Sequence, residues 1–130
     1  ILQSELSNLI SDATYPTEGM PHPRVYGTFP RLIQHFVMEK HILTPEQAVR
    51  KMTALPAKAL RLRGKGTITV GMDADLCVFD PAQLRENGDY QHPCRMASGL
   101  DAVLVAGEAA VIHDTYTGAQ AGTVIRRDTL

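Results

Sequence analysis

The sequence predicts an α+β protein in which helices come first and β-strands follow. Apolar residues recur at helical spacing from Phe29 to about Lys40. The sequence Thr44-Pro45-Glu46-Gln47 has the form of a helix start. From Gly64 onward the apolar period shortens to about two, which is typical of strands. Helices and strands that are segregated along the chain favour separate layers.

The composition is that of one ordinary soluble domain. The chain has 130 residues, of which 44% are hydrophobic and 21% charged, enough to bury a core. The net charge is -1 and the basic residues are scattered, which argues against a nucleic-acid or membrane-surface partner. Cys77 and Cys94 lack the spacing of a disulfide or zinc motif and indicate a reducing compartment, so we expect a cytoplasmic protein.

The first expected element is a short buried strand at Leu9-Ile10, which ends at Ser11-Asp12. A loop with four prolines follows, up to Arg31. An Asp in this place is most often a turn or cap residue, because its carboxylate bonds nearby backbone amides.

Three helices are expected next. The first buries a stripe that consists of Phe29, Leu32, Ile33, Phe36 and Val37. In the second, Thr44 is the N-cap, Pro45 takes the first helical position and Gln47 completes a capping box. Its predicted buried stripe is Ala48, Val49, Met52 and Leu55. Pro56 is expected to open a third helix over 57–62, with Gly64 as its left-handed stop.

The second half of the chain predicts strands. The runs "GTITVG" and "ADLCVFD", bounded by glycines and by Asp80-Pro81, indicate a pair of short strands. A hairpin is predicted from 103–105 and 110–113, with its turn at Ala106-Gly107-Glu108. The run "AGTVIRR" is a candidate last strand.

These residues carry a resemblance to a known family. "GKGTITVGMDADLCVFDP" resembles the signature that closes many amidohydrolase-superfamily chains, and "VLVAGEAAVIHDTYTGAQAGTVIRR" resembles the end of the same tail. "HPRVYGTFPR", a short loop after "SD", is similar to the N-acyl-D-amino-acid deacylases, also called D-aminoacylases. The chain starts at Ile1 without Met, and a full (β/α)8 barrel needs about 250 residues, so we expect a C-terminal fragment.

The resemblance implies an architecture and a division of the chain. Residues 1–62 correspond to the last strand, the active-site loop and the terminal helices of a (β/α)8 metal-dependent hydrolase barrel. Residues 63–130 correspond to part of a small C-terminal β-sandwich. The implied partner inside the molecule is therefore the upstream remainder of the barrel.

The resemblance also implies site residues. Asp12 is the implied catalytic residue, a carboxylate that contacts the metal and acts as general base toward the metal-bound water. Arg24, in "HPR", is the implied substrate-binding residue, which holds the free carboxylate of an N-acyl amino acid. The implied cofactor is zinc, whose other ligands lie upstream of Ile1. One departure is Ala13, where the family usually has Gly.

Several other residues have no assigned function or have an ordinary structural alternative. An Arg in a loop is usually solvated, and Tyr15 and Tyr26 receive no role. We expect Arg31 and Phe29 to anchor the loop on the first helix. The histidines are dispersed and are expected to be surface or structural residues: His22, His35, His41, His92 and His113.

The function is left with two alternatives to an N-acyl-D-amino-acid deacylase. One is a cyclic amidohydrolase similar to dihydroorotase or dihydropyrimidinase, which needs no arginine for a free carboxylate. The other is a free-standing, non-catalytic interaction module. We expect the isolated chain to be inactive, because one carboxylate cannot hold zinc. We also expect the stripe of the first helix to be exposed, and either to self-associate or to pack back on the sandwich.

Overall fold

The computed structural model describes residues 1–14 and 19–126, which form an α+β structure. The helices are α1 (Arg24–Arg31), which continues directly as a π-helical segment (Leu32–Glu39), α2 (Pro45–Met52) and α3 (Ala54–Ala59). The strands are β1 (Leu76–Phe79), β2 (Leu100–Val105), β3 (Glu108–Ile112) and β4 (Thr115–Tyr116). They form one antiparallel sheet in the order β1-β2-β3-β4.

The expected strand at Leu9-Ile10 does not form. The segment is irregular, and Ile10 is exposed. The backbone N–H of Leu9 donates a hydrogen bond to the carbonyl of Lys51 at 3.1 Å, rather than to a neighbouring strand. A strand depends on the backbone groups of its neighbours. In the described residues this segment lies against a helix, and the strand prediction is therefore wrong for this structure.

The first helix begins at Arg24, earlier than expected, and contains Pro30. Its π-helical continuation ends with the N–H of Lys40 bonded to the carbonyl of His35 at 2.9 Å, an i to i−5 bond. Leu32 and Ile33 are fully buried, as the predicted stripe and its packing-back alternative require, so these two residues leave no exposed patch. They pack in a cluster that includes Leu84, from the second half of the chain. The helix thus packs back on its own chain.

The capping box of α2 is confirmed. Thr44 Oγ1 accepts from the N–H of Gln47 at 3.2 Å, and Gln47 Oε1 accepts from the N–H of Thr44 at 2.9 Å. Ala48 is buried as predicted, but Val49 is exposed. The buried side chain that the pattern missed is Lys51.

Helix α3 lies earlier in the chain than expected, since it begins at Ala54 and ends at Ala59. Pro56 is therefore inside its first turn, where backbone N–H groups have no helical partner. Arg61, with φ of 58°, takes the left-handed position that was predicted for Gly64. The N–H of Leu62 bonds to the carbonyl of Ala57 at 2.9 Å, and that of Arg61 to Lys58 at 3.2 Å, the pattern of a Schellman motif.

The predicted hairpin is confirmed as β2 and β3. Ala106 and Gly107 both have positive φ, 50° and 84°, as a tight two-residue turn requires. Asp114 accepts hydrogen bonds from the backbone N–H groups of Gly99 and Leu100, which hold the pKa of its carboxyl below the usual value. The Asp114 carboxylate therefore ties the turn after β3 to the start of β2.

Two other strand predictions are wrong. The run "GTITVG" is turn and coil, and its Ile68 and Val70 are almost completely exposed. Residues 121–126 form no strand, and Arg127 lies outside the described residues. The sheet is instead closed by the two-residue strand β4, which pairs Val111 with Tyr116. Within the residues that are described, no helix is long and apolar enough to cross a membrane.

Candidate functional site

Asp12 and Arg24 meet at the start of helix α1. Arg24 Nη2 lies 3.5 Å from Asp12 Oδ2, an ion pair between side chains that are 43% and 76% exposed. Asp12 has φ of 46°, a left-handed conformation that is uncommon for a residue other than glycine. The two residues to which the resemblance assigns the site are thus in contact.

His22 holds the first turn of α1. The backbone N–H of Arg24 donates to His22 Nδ1 at 3.0 Å. On the other side of the imidazole ring, Nε2 lies 3.2 Å from the hydroxyl of Tyr90, and the two rings meet edge to face with centroids 5.2 Å apart. His22 has the structural role that was expected of it. The contact with Tyr90, 68 residues away, carries no signal in the sequence.

The opposite end of α1 is fixed by Glu86. Arg31 Nη1 donates to Glu86 Oε2 at 2.9 Å, and the Glu86 side chain is only 13% exposed. Gly27 is buried beside it, and a Cβ atom there would lie 2.5 Å from Glu86 Oε1. The prediction that Arg31 anchors the loop on the first helix is therefore wrong, because Arg31 belongs to that helix and contacts the second half of the chain.

The spacing of "HPRVYGTFPR" explains this arrangement. Arg24, Gly27 and Arg31 stand at i, i+3 and i+7, which places them along one side of a helix. The first faces Asp12, and the other two contact Glu86. The helix predicted from the sequence began at Phe29, and the pattern was therefore missed. The spacing becomes visible once the helix begins at Arg24.

Lys51 in α2 is the buried charged side chain of the described residues, with 4% of its surface exposed. Its Nζ donates to the carbonyl oxygens of Ser4 and Ser7 at 2.7 and 2.9 Å, and lies 3.1 Å from Ser7 Oγ. Lys51 stands three residues after the buried Ala48, on the same side of the helix. That spacing was the available signal for its burial.

Asp12 is the single metal-binding candidate at this site. A carboxylate oxygen suits a zinc ion, but such a site needs three or four ligands. In residues 1–14 and 19–126, no group of three or more His, Cys, Asp or Glu side chains could hold a metal ion. The described residues by themselves therefore do not fit zinc.

The site is open to solvent in this chain. A groove of about 720 Å³ runs between residues 59–63 and Ile125-Arg126, and neither Asp12 nor Arg24 lines it. Tyr15 lies outside the described residues. Walls that would enclose a substrate at Asp12 are not found in the part of the chain that the structure describes.

Comparisons with known proteins agree with the resemblance. The chain is 38% identical over 119 residues to a D-aminoacylase from Alcaligenes xylosoxydans xylosoxydans, a match that covers 92% of this chain and 25% of that enzyme. A solved structure of a D-aminoacylase studied for its binuclear metal centre superposes with a TM-score of 0.79 at 40% identity, over 82% of this chain and 23% of the other. This chain thus spans about a quarter of the length of the relatives it matches.

A second similar solved structure contains a metal and an inhibitor. It is an N-acyl-D-glutamate deacylase from Bordetella bronchiseptica, in complex with zinc and a phosphonate that mimics the tetrahedral intermediate of its reaction. It matches with a TM-score of 0.68 and 38% identity, over 69% of this chain and 19% of the other. The model of the amidohydrolase family matches residues 9–111, most of the chain. The chain therefore belongs to the amidohydrolase family.

Proposed function

We propose that this chain is the C-terminal part of a metal-dependent amidohydrolase that hydrolyses the amide bond of N-acyl-D-amino acids. The observation that carries the proposal is the Asp12–Arg24 pair, 3.5 Å apart in a chain that is 38% identical to a D-aminoacylase. A carboxylate and a guanidinium side by side suit a substrate with a scissile amide close to a free carboxylate.

Arg24 is the group that would bind the substrate carboxylate. A guanidinium presents a planar fork of donors that matches a carboxylate in two parallel hydrogen bonds. Its side chain is 43% exposed, so it can reach a substrate in solvent. The ion pair with Asp12 supports this role, since the guanidinium already contacts a carboxylate there. A substrate carboxylate would take over this contact and leave Asp12 available for the reaction.

Asp12 is the proposed general base. It would take a proton from the attacking water and deliver it to the nitrogen of the leaving amine, as one carboxylate can do in the two halves of an amide hydrolysis. A bound zinc ion would supply polarisation of the scissile carbonyl. Its remaining ligands belong, in this proposal, to the part of the enzyme that precedes Ile1.

The proposal includes the architecture of the whole protein. Residues 1–62 complete a (β/α)8 barrel, and residues 63–130 complete a β-sandwich beside it. Almost completely exposed apolar side chains support this assignment, since Leu6, Ile68 and Val70 would be covered by the rest of such a protein.

The test uses the full-length enzyme with N-acetyl-D-amino acids, their L-enantiomers and analogues in which the carboxylate is masked as an amide. We expect hydrolysis of the D-compounds only. Arg24→Ala should raise KM by roughly 10- to 100-fold, which corresponds to the loss of a charged hydrogen-bond pair of about 1.5–3 kcal/mol. Arg24→Lys should recover only part, because an ammonium cannot form the fork.

The masked substrate is the control. It should be poor for the wild type and almost indifferent to Arg24→Ala. An equal loss with both substrates would show that Arg24 only supports the loop. Hydrolysis of cyclic amides in place of N-acyl-D-amino acids would favour the dihydroorotase-like alternative. For the isolated 130-residue chain we expect no activity, and one equivalent of zinc retained after dialysis would contradict the proposed ligand set.

A further inference from the structure

We propose that Lys51 is a positioning residue, which holds the segment that carries Asp12 against helix α2. This inference rests on the proposed function, since it concerns how the base of that reaction is placed. Lys51 has no part in the chemistry described above, and no substrate contact is proposed for it.

The first observation is the environment of the ammonium group. Burying an unpaired charge is costly, and a lysine is rarely buried without a carboxylate beside it. The ammonium of Lys51 instead uses its donors on Ser4 O, Ser7 O and Ser7 Oγ, at 2.7 to 3.1 Å. A charged donor bonded to three oxygens of one short segment fixes that segment more firmly than a neutral contact does.

The second observation is the backbone of the same residue. The carbonyl of Lys51 accepts from the N–H of Leu9 at 3.1 Å. Lys51 therefore holds both ends of the segment 4–9, with its side chain at Ser4 and Ser7 and its backbone at Leu9. Asp12 follows three residues after Leu9, so the held segment sets where its carboxylate lies.

The neighbouring residue offers a matched contrast. Arg50 Nη1 pairs with Glu5 Oε2 at 3.0 Å, and both side chains are more than half exposed. Exposed ion pairs contribute little, because water and salt screen them and long side chains lose entropy. Arg50 and Lys51 thus reach the same segment, and the difference between them is burial.

The experiment compares Lys51→Met with Arg50→Met in the full-length enzyme. Methionine is close in size to lysine but donates no hydrogen bond. The carbonyl oxygen of Ser7 loses the ammonium as its donor, and that of Ser4 keeps only the bonds from the Ser7 N–H and hydroxyl. We expect kcat of Lys51→Met to fall at least about tenfold while KM changes less than about threefold, because Arg24 lies on α1 and keeps its place. Arg50→Met should leave both constants within about twofold.

Amide hydrogen exchange gives a readout that needs no substrate. Peptides from residues 4–12 should exchange at least about tenfold faster in Lys51→Met, whereas peptides from the hairpin β2–β3 should not change. Lys51→Arg should recover part of kcat. If Lys51→Met fails to fold, Ser7→Ala removes one of the three acceptors, and we expect the same changes at smaller size.

Two results would overturn the inference. One is an unchanged kcat in Lys51→Met together with faster exchange in residues 4–12, which would reduce Lys51 to a structural residue. The other is faster exchange throughout the protein. A wild type that does not hydrolyse N-acyl-D-amino acids would instead overturn the proposed function. The role of Lys51 in that reaction would then fail as well. Local exchange would still show separately whether Lys51 holds the segment.

Discussion

The hairpin β2–β3 and the Asp12–Arg24 site are built from contacts of opposite kinds. The hairpin pairs residues that are close in sequence around a two-residue turn, from Val105 with Glu108 outward. The site depends on contacts that join residues 47, 55 and 68 positions apart, namely Lys51 with Ser4, Arg31 with Glu86 and Tyr90 with His22. A hairpin of this kind is set by its local sequence, whereas the site exists only once distant segments have packed.

Mutations in these two regions should therefore have different effects. Changes at the distant contacts should alter the site and its kinetics. Changes in the hairpin should alter the free energy of unfolding and leave the kinetics alone. The four changes below, all in the full-length enzyme, test this separation.

Asp12→Asn should have the largest effect. The amide cannot take a proton, so kcat should fall by about 10²- to 10⁴-fold, the usual contribution of a positioned general base. The check is steady-state kinetics with an N-acetyl-D-amino acid. Asp101→Asn, in β2, is the matched control and should behave as the wild type. Normal turnover in Asp12→Asn would return Asp12 to the role of a turn residue.

Gly27→Val should have the second-largest effect. The new side chain overlaps the buried Glu86 carboxylate, and overpacking costs about 1–3 kcal/mol of unfolding free energy. Because α1 also carries Arg24, KM should rise as well. Gly122→Val adds the same side chain where no atom lies within 4 Å of the new Cβ and should be neutral. Denaturant unfolding and KM are the measurements. A normal KM would show that the packing of α1 against Glu86 does not affect substrate binding at Arg24.

Gly107→Ala tests the hairpin. A left-handed residue other than glycine costs about 1 kcal/mol, and the added Cβ would meet only Ala74 at an ordinary distance of 3.8 Å. We expect a lower unfolding midpoint with unchanged kcat and KM. A change in KM here would show that the hairpin is coupled to the site, against the separation drawn above.

Tyr90→Phe should have the smallest effect. It removes one exposed hydrogen bond to His22, worth about 0.5–1.5 kcal/mol at most, and keeps the ring contact. We expect KM to rise by less than about tenfold with kcat unchanged. Tyr116→Phe removes a similar bond, from Tyr116 to the carbonyl of Ala119 at 2.8 Å, in the sheet. Tyr90 reaches Arg24 through His22, which accepts from the backbone N–H of Arg24. An equal response of KM to both variants would show that this connection does not affect substrate binding.

The predictions from the sequence held where the determinants are local. The capping box of α2 joins Thr44 to Gln47, and the hairpin turn joins Ala106 to Gly107, so each could be predicted from a few adjacent residues. Family membership was likewise available from short motifs, since "HPRVYGTFPR" and the glycine-spaced tail are contiguous. Asp12 and Arg24 were chosen on that resemblance, and their contact is what the structure adds.

The predictions failed where a partner distant in sequence decides the outcome. Leu9-Ile10 and "GTITVG" have the composition of strands but lack neighbours in the described residues, and a strand cannot satisfy its backbone alone. The sequence by itself determined the capping box of α2, the hairpin and the family. Only the tertiary structure decided that Lys51 is buried, that Arg31 pairs with Glu86 and that His22 meets Tyr90, because those free energies depend on groups that a linear pattern does not bring together.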